Sequence, residues 1–278
     1  MRVALKKLRD SLTPIYGKNE TEAIIRIIFH HLKGWSLTDM LIHSEDELSP
    51  YIKSEIDKII TRLINYEPIQ YITGEARFHG MNLSIKPGVL IPRPETDELT
   101  DLIIDENKNK EDLKILDVCT GSGCIAIALY RNLKFPKITA VDISPVALEV
   151  AEENAAKLKC DIKFIKADIL EWIPDSKYDI IVSNPPYVNE IEASIMSRNV
   201  LEYEPHNAIF VPDDDPLKFY KRIISISKSF LNHNGKLYLE INPLYVKGLE
   251  SLIKDADFKD IRTIKDSFGK DRFMICSF

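Results

Sequence analysis

The chain has 278 residues, of which 45% are hydrophobic and 29% charged, the composition of a folded globular protein. This length exceeds what one small hydrophobic core needs, so two domains are expected. The net charge of −6 argues against stable nucleic-acid binding, because such binding depends on basic side chains that neutralise phosphates.

The first residues and the cysteines bear on the cellular compartment. Met1–Asp10 contains no apolar core of the kind found in secretory signals, and no later segment is long and apolar enough to span a membrane. The four cysteines have neither metal-binding nor disulfide spacing. We therefore expect a cytoplasmic protein that binds no metal and does not associate with a membrane.

Residues 1–73 predict a small bundle of helices. Apolar side chains recur at helical spacing, and a late helix is predicted to begin at Ser49–Pro50, a capping residue followed by proline, and to end before Pro68. Basic and acidic side chains nearly balance over residues 1–75, whereas a DNA-reading module would be basic. Recognition of another protein suits this bundle better.

The rest of the chain predicts a hairpin followed by an α/β domain. Apolar and polar residues alternate around Gly80, which indicates a linking β-hairpin within residues 74–92. Strands and helices then alternate through residues 93–278, as in a mainly parallel sheet. The strands are predicted at 114–118, 137–142, 162–167, 178–183 and 236–241, with two more between Ile261 and Phe278.

A glycine turn follows the first of these strands. It joins the strand to a predicted helix through Cys119, Thr120, Gly121, Ser122 and Gly123. Glycines let the backbone approach a ligand closely, and the N–H groups at a helix start favour an anionic group. The third glycine of the dinucleotide fingerprint is missing, so a pyrophosphate clamp is not supported and another adenosine-containing ligand is considered.

Two acids follow the next two strands. Asp142 stands at the spacing where a nucleotide-binding α/β unit places an acid on the ribose hydroxyls. Asp168 is a candidate acceptor for an adenine amino group. Each acid taken alone is explained as well by a helix N-cap or a loop position.

The tetrapeptide Asn184-Pro185-Pro186-Tyr187 follows the fourth strand. Neither proline has an N–H and both have a fixed φ, so the local carbonyls are expected to have few partners and to point outward. Asn184 adds a side-chain carbonyl and Tyr187 an aromatic face, which suit a planar substrate with an amino group. An ordinary turn after a strand is the alternative. The four features follow four successive strands in order, at the ends where open α/β sheets bind ligands.

At these residues the chain resembles the peptide chain release factor N(5)-glutamine methyltransferases, the PrmC/HemK family of class I S-adenosylmethionine-dependent methyltransferases. Five separated segments carry the resemblance: Glu67–Glu75, Pro87–Leu99, Val182–Tyr187, Tyr203–His206 and Gly269–Phe273. The resemblance implies a Rossmann-like, seven-stranded, mainly parallel sheet in which Phe273–Cys276 is antiparallel. It also implies a helical substrate-recognition domain at 1–73, a hairpin linker at 74–92 and a catalytic domain at 93–278.

The resemblance further implies a ligand set. The cofactor is S-adenosyl-L-methionine, which becomes S-adenosyl-L-homocysteine, and the partner is a class I release factor whose Gly-Gly-Gln loop carries the glutamine; its methylation modulates translation termination. The turn Arg93–Thr96 approaches the donor pocket in the family, although a helix cap after a proline explains it equally well. Donor contacts fall on Cys119, Thr120, Gly121, Ser122, Gly123, Asp142, Asp168, Ile169 and Asn184, and the substrate glutamine contacts Asn184, Pro185, Pro186 and Tyr187.

An amide nitrogen is a poor nucleophile, because its lone pair is delocalised into the carbonyl. We expect the Asn184 side-chain oxygen and the Pro185 carbonyl each to accept one amide N–H, which aims the lone pair at the methyl group. Tyr187 is expected to pack on the amide plane. No general base is expected, since the positively charged donor becomes neutral as the methyl moves and the product loses its proton afterwards.

Other functions remain open at this point. An adenine-amino DNA methyltransferase or a guanine-amino rRNA methyltransferase can use the same tetrapeptide, but a DNA enzyme has to flip its base and bind phosphates. Cys119 replaces a glycine that is usual in the family, and its Cβ narrows the space for the donor. A donor-binding scaffold without activity is therefore a third alternative. Nothing in the sequence requires more than a monomer.

Overall fold

The computed structural model describes residues 1–278, which divide into two compact units. The smaller unit comprises Met1–Glu75 and Ser197–Tyr203, and the larger one comprises Ala76–Met196 and Glu204–Phe278. None of the helices combines the length and the apolar character that a bilayer crossing needs.

Four helices form most of the smaller unit: α1 (Arg2–Lys33), α2 (Leu37–Ile42), α3 (Pro50–Ile64) and α4 (Ile69–Thr73). α3 begins where predicted, since the Ser49 hydroxyl accepts the Ile52 N–H at 3.3 Å and Pro50 is its first residue. α1 is interrupted at Gly17, whose φ of 73° and ψ of 169° are not helical. Leucine, isoleucine and phenylalanine side chains from α1 and α3 fill the core. The predicted helical bundle is confirmed.

A hairpin follows, made of β1 (Glu75–Phe78) and β2 (Met81–Ser84). The two loop residues, His79 and Gly80, both have positive φ, at 46° and 72°, as in the two-residue turns that match the twist of hairpin strands. Phe78, Met81 and Leu83 are buried in the same apolar cluster as helices of the larger unit. The hairpin predicted within 74–92 is thus packed into the core of that unit.

Seven strands form the sheet of the larger unit, in the order β10-β11-β9-β6-β3-β4-β5. In chain order the strands are β3 (Lys114–Val118), β4 (Lys137–Asp142), β5 (Ile162–Lys166), β6 (Tyr178–Ser183), β7 (Val188–Asn189), β8 (Phe210–Val211), β9 (Leu231–Glu240), β10 (Asp260–Lys265) and β11 (Asp271–Ser277). β7 and β8 pair with each other outside this sheet.

The sheet is mainly parallel, as predicted. β9, β6, β3, β4 and β5 run in the same direction, and β11 lies antiparallel between β9 and β10. One boundary differs, because β9 begins at Leu231 rather than at Lys236. Its first half contains the polar residues Asn232–Asn234, which interrupt the apolar pattern that marks a strand in a sequence.

Helices cover both faces of the sheet. They are α5 (Pro94–Asn107), α6 (Cys124–Asn132), α7 (Pro145–Lys157), α9 (Lys218–Phe230) and α10 (Val246–Asp255), while α8 (Arg198–Tyr203) belongs to the smaller unit. α5, α6 and α7 pack into one apolar cluster, and α9 and α10 into another. Successive residues of β3 join opposite clusters, Ile115 the first and Leu116 the second. A strand buried on both faces therefore reads as a continuous apolar run.

Candidate active site

Four strand ends bring the predicted site residues to one edge of the sheet. The glycine turn follows β3, Asp142 ends β4, Asp168 follows β5 and Asn184 follows β6. Since these strands are parallel neighbours, their carboxyl ends meet at the same edge. A cavity opens there, and the predicted residues that line it are Cys119, Gly121, Asp142, Asp168, Ile169, Asn184 and Pro186.

The other predicted residues do not line this cavity; they are Thr120, Ser122, Gly123, Pro185 and Tyr187. Gly123 has a packing role instead. A Cβ at this position would lie 3.1 Å from the Cβ of Ala151, so the absent side chain lets the start of α6 approach α7 closely. Close packing of the two helices keeps the turn before α6 in place.

Part of the cavity wall was not predicted from the sequence. Leu90, Ile143 and Phe219 contribute apolar surface, and Asn207 adds a polar side chain. These residues come from the segment before α5, the loop after β4, the start of α9 and the loop before β8. No spacing relates positions so far apart in the chain, so the sequence contained no signal for them as a group.

Asp142 supports the glycine turn directly. Its Oδ2 accepts the Gly121 N–H at 2.9 Å, and its Oδ1 accepts the Ser144 N–H at 2.9 Å. Burial raises the pKa of Asp142, and these hydrogen bonds oppose the rise. Asp168 makes a similar local turn, since its Oδ1 accepts the Leu170 N–H at 2.9 Å. Both carboxylates therefore stabilise the local backbone by accepting N–H groups. Their oxygens keep lone pairs that can accept further hydrogen bonds.

A second buried acid, Asp117 in β3, was missed in the sequence. Its Oδ2 accepts the Thr120 hydroxyl at 2.6 Å and the Ala126 N–H at 3.2 Å, while its Oδ1 has no partner. Burial, with a smaller contribution from the charge of Asp142, raises the pKa of Asp117 to about 7. A carboxyl group within an otherwise apolar strand was the available signal.

Cys119 adopts a backbone conformation that glycine favours, with a φ of 61°. A side chain in this left-handed region costs about 1 kcal/mol. Burial raises the pKa of the Cys119 thiol far above its ordinary value, and the charges of Asp142 and Asp117 act in the same direction. Cys119 is therefore a neutral thiol at the cavity wall.

The tetrapeptide is tied to the rest of the unit by a chain of side-chain hydrogen bonds. Asn184 Nδ2 donates to Thr96 Oγ1 at 3.0 Å, and Thr96 Oγ1 donates to Glu240 Oε2 at 2.6 Å. The Tyr187 hydroxyl donates to the other oxygen of the same carboxylate at 3.0 Å. Burial and the adjacent Glu240 raise the pKa of Tyr187 well above its ordinary value, so the phenol keeps its proton.

The backbone of the tetrapeptide has the open acceptors that the sequence predicted. No hydrogen bond from the protein reaches the carbonyl oxygens of Asn184, Pro185 or Pro186. Pro185 and Pro186 are buried, while Asn184 and Tyr187 are half-buried. The loop therefore combines a rigid backbone with carbonyl groups that can accept hydrogen bonds from a ligand.

The turn before α5 contains a helix cap and an ion pair in which the Glu204 carboxylate is buried and the Arg93 side chain is 31% exposed. Arg93 is the N-cap of α5 and Pro94 its first residue, and neither lines the cavity. The Arg93 guanidinium donates to Glu204 Oε1 at 2.6 Å, and the Ile91 N–H donates to Glu204 Oε2 at 3.1 Å. Thr96 is the residue of this turn that reaches the tetrapeptide.

One further cluster has metal-ligand chemistry but lies outside the cavity lining. His79 Nδ1 is 3.0 Å from an oxygen of Asp97 and 3.4 Å from an oxygen of Asp101. Hydrogen bonds from the His79 ring and backbone to the Asp97 carboxylate account for this cluster.

Known proteins share this fold and both parts of this sequence. The crystal structure of a methyltransferase from Pyrococcus furiosus is similar with a TM-score of 0.54 and 17% identity, covering 78% of this chain and 95% of that one. The Methyltransferase small domain family matches residues 81–202, and the PrmC N-terminal domain family matches residues 4–74. The fold and the cavity at the strand ends define a class I methyltransferase.

Two bacterial relatives narrow this class. A release factor glutamine methyltransferase from Bacteroides thetaiotaomicron is 45% identical over 269 residues, which is 96% of each chain. Another from Flavobacterium psychrophilum is 40% identical over 276 residues, covering 97% of this chain and 96% of its own. The chain belongs to the release factor glutamine methyltransferase family, and the resemblance found in the sequence is confirmed.

Proposed function

We propose that this protein transfers a methyl group from S-adenosyl-L-methionine to the side-chain amide nitrogen of the glutamine in the Gly-Gly-Gln loop of class I peptide chain release factors. One observation carries the proposal: Asn184 and Pro186, whose backbone carbonyl oxygens accept no hydrogen bond from the protein, line a cavity that the carboxylates Asp142 and Asp168 also line. The names of the two relatives agree with it. In this proposal the enzyme acts as a monomer, without nucleic acid or membrane, and the resulting methylation modulates translation termination.

The cavity lining suits the proposed donor. Gly121 has open space where a Cβ would be, so its backbone is accessible to a ligand. Asp142 is the acceptor for ribose hydroxyls and Asp168 for the adenine amino group, while Leu90 and Phe219 supply apolar surface for the base. S-adenosyl-L-methionine supplies a methyl group on a positively charged sulfur and leaves as S-adenosyl-L-homocysteine.

The tetrapeptide provides the two acceptors that a primary amide needs. In the proposed mechanism Asn184 Oδ1 and the Pro185 carbonyl each accept one N–H of the substrate glutamine, which turns the nitrogen lone pair toward the donor. The Tyr187 hydroxyl donates to Glu240, and in this mechanism the Tyr187 ring packs on the amide plane. The carboxylate of Glu240 accepts hydrogen bonds from Thr96 and Tyr187, and no general base is assigned.

A labelled-donor assay tests this function. The protein is incubated with methyl-labelled S-adenosyl-L-methionine and, in separate reactions, with a release factor, adenine-containing DNA or ribosomal RNA. Label on the loop glutamine supports the proposal. Label on a nucleic acid supports the rival substrates, and donor binding without any transfer supports an inactive scaffold.

Asn184→Ala tests the assigned residue. It leaves one substrate N–H without an acceptor, which costs about 1–3 kcal/mol and lowers the transfer rate by about 5- to 150-fold. Asn234→Ala is the control, because Asn234 is exposed in the first half of β9, at the opposite edge of the sheet from the cavity. Activity of Asn184→Ala close to that of the control would refute the role.

A further inference from the structure

We propose that Thr96 and Glu240 are positioning residues that hold the Asn184 amide with its oxygen toward the substrate, and that they thereby make the site select a carboxamide over a carboxylate. This inference rests on the proposed function, because it concerns how the same site distinguishes glutamine from glutamate.

The hydrogen-bond donors determine the orientation of the amide. An ionised carboxylate can only accept, so the single proton of the Thr96 hydroxyl is directed at Glu240 over the 2.6 Å contact. The oxygen of that hydroxyl can then only accept from Asn184, so the amide atom 3.0 Å away has to be the NH2 group. Asn184 Oδ1 is left for the substrate.

Both oxygens of Glu240 act as hydrogen-bond acceptors. It is 1% exposed, Thr96 is 2% exposed, and both of its carboxylate oxygens receive a hydroxyl, one from Thr96 and one from Tyr187. Burial raises the pKa of Glu240, while these two hydrogen bonds and the charge of Arg272 favour the ionised form. One carboxylate therefore orients both ends of the tetrapeptide.

This orientation has a consequence for selectivity. With Asn184 Oδ1 and the Pro185 carbonyl in place, the site presents two acceptors, which match the two N–H groups of a glutamine side chain. A glutamate side chain would bring two further oxygens and no donor, and its charge would remain unpaired. If the Asn184 amide were turned around, its NH2 group would face the substrate and the preference would weaken.

Thr96→Val provides the test, because it removes the hydroxyl with little change in shape. The full-length protein is assayed with a release factor as substrate and with the same factor carrying glutamate in place of the loop glutamine as competitive inhibitor. For Thr96→Val we expect kcat/KM to fall about tenfold or more. We also expect the ratio of Ki for the glutamate factor to KM for the glutamine factor to fall about tenfold. Thr96→Ser keeps the hydroxyl and should restore most of both values.

Thr100→Val is the matched control, one helical turn further along α5. The Thr100 side chain is also buried, and its hydroxyl donates to the backbone carbonyl of Thr96 at 2.8 Å. Thr100→Val therefore removes a buried threonine hydroxyl from α5 but leaves the Thr96 hydroxyl with both of its partners, Asn184 and Glu240. Should Thr96→Val prove unstable, Thr96→Ala removes the same hydroxyl and carries the same expectation.

The outcomes separate the two proposals. Failure of the wild-type protein to methylate the glutamine overturns the proposed function. Wild-type activity together with an unchanged Ki-to-KM ratio in Thr96→Val overturns the positioning role alone. The positioning role is overturned as well if Thr100→Val changes the ratio as much as Thr96→Val does, or if Thr96→Ser does not restore it.

Discussion

Asp117 is expected to make the larger unit less stable as the pH rises from 4 to 7. Its pKa is about 7 in the folded protein, chiefly because of burial, against an ordinary value of 3.8. Below pH 3.8 the carboxyl group is protonated in both the folded and the unfolded chain. Between pH 3.8 and 7 the unfolded chain releases this proton while the folded chain keeps it, so the free energy of unfolding falls.

The size of this effect follows from the two pKa values. At about 1.4 kcal/mol for each tenfold difference in proton affinity, the change from 3.8 to about 7 corresponds to about 4 kcal/mol. Asp117→Asn cannot ionise, and its amide oxygen can still accept from Thr120 and Ala126. The free energy of unfolding of the variant should therefore rise relative to wild type by up to about 4 kcal/mol between pH 4 and pH 8.

Urea unfolding at a series of pH values measures this difference. The protein has two tryptophans, Trp35 in the smaller unit and Trp172 against the second core cluster of the larger unit. A Trp35→Phe background makes the fluorescence signal specific to the larger unit. Parallel curves for Asp117→Asn and its parent from pH 4.5 to pH 8 would refute the reasoning.

Glu106→Gln is the control of opposite sign. Burial opposes ionisation of Glu106, but hydrogen bonds from Lys236, Arg262 and Tyr238 outweigh it and lower the pKa of Glu106 to about 2. The stability that this carboxylate contributes is present above pH 4.5 and is lost as the pH falls toward 2. The variant should be less stable than wild type at pH 7 by up to about 3 kcal/mol, and the difference should shrink on acidification.

Three further substitutions test the packing and strain around the site. Gly123→Ala places a Cβ 3.1 Å from that of Ala151 at a φ of +78°, so the free energy of unfolding should fall by about 1–3 kcal/mol. An unchanged urea midpoint would contradict the packing role. Cys119→Gly removes a side chain at a positive φ and widens the cavity, so we expect a free energy of unfolding within about 1 kcal/mol of wild type. S-adenosyl-L-methionine should bind more tightly to this variant in calorimetry, and weaker binding would count against this account. Arg93→Ala leaves the buried carboxylate of Glu204 without its cation and should lower the free energy of unfolding by about 3 kcal/mol. The double variant with Glu204→Gln should recover part of this loss in thermal unfolding.

Local patterns predicted most of the fold. The cap at Ser49, the positive-φ turn at Gly80 and the apolar run of β3 each involve neighbouring residues, so the chain carries their signal directly. The start of β9 was placed five residues too late, at 236 against Leu231, because the polar residues there have no apolar pattern, and after Leu231 the pairing with β6 resumes only at Lys236. Propensity and periodicity describe a strand by what it buries, and the first half of β9 buries little.

The candidate site also contains some parts that the sequence predicted and others that it did not. Motifs that follow successive strands, such as the glycine turn and the tetrapeptide, could be assigned to one edge, because parallel strands bring their carboxyl ends together. Asp117 and Glu240 were missed, although both are ionisable groups within buried strands, and Thr96 was named only as part of the turn Arg93–Thr96. An ionisable residue within an apolar strand indicates that its side chain has a hydrogen-bonding partner, but it does not identify that partner.

The sequence by itself determined which chemical groups the protein presents and in what order, since each motif is contiguous and each strand end is marked by its own apolar run. Only the tertiary structure decided how those groups are oriented. In the proposed arrangement the Asn184 amide is oriented by Thr96, which lies 88 residues earlier in the chain, and Thr96 is oriented by Glu240, which lies 144 residues after Thr96. The direction of a hydrogen bond depends on which donor and acceptor meet in space, and the packing of α5 against the end of β9 sets that meeting.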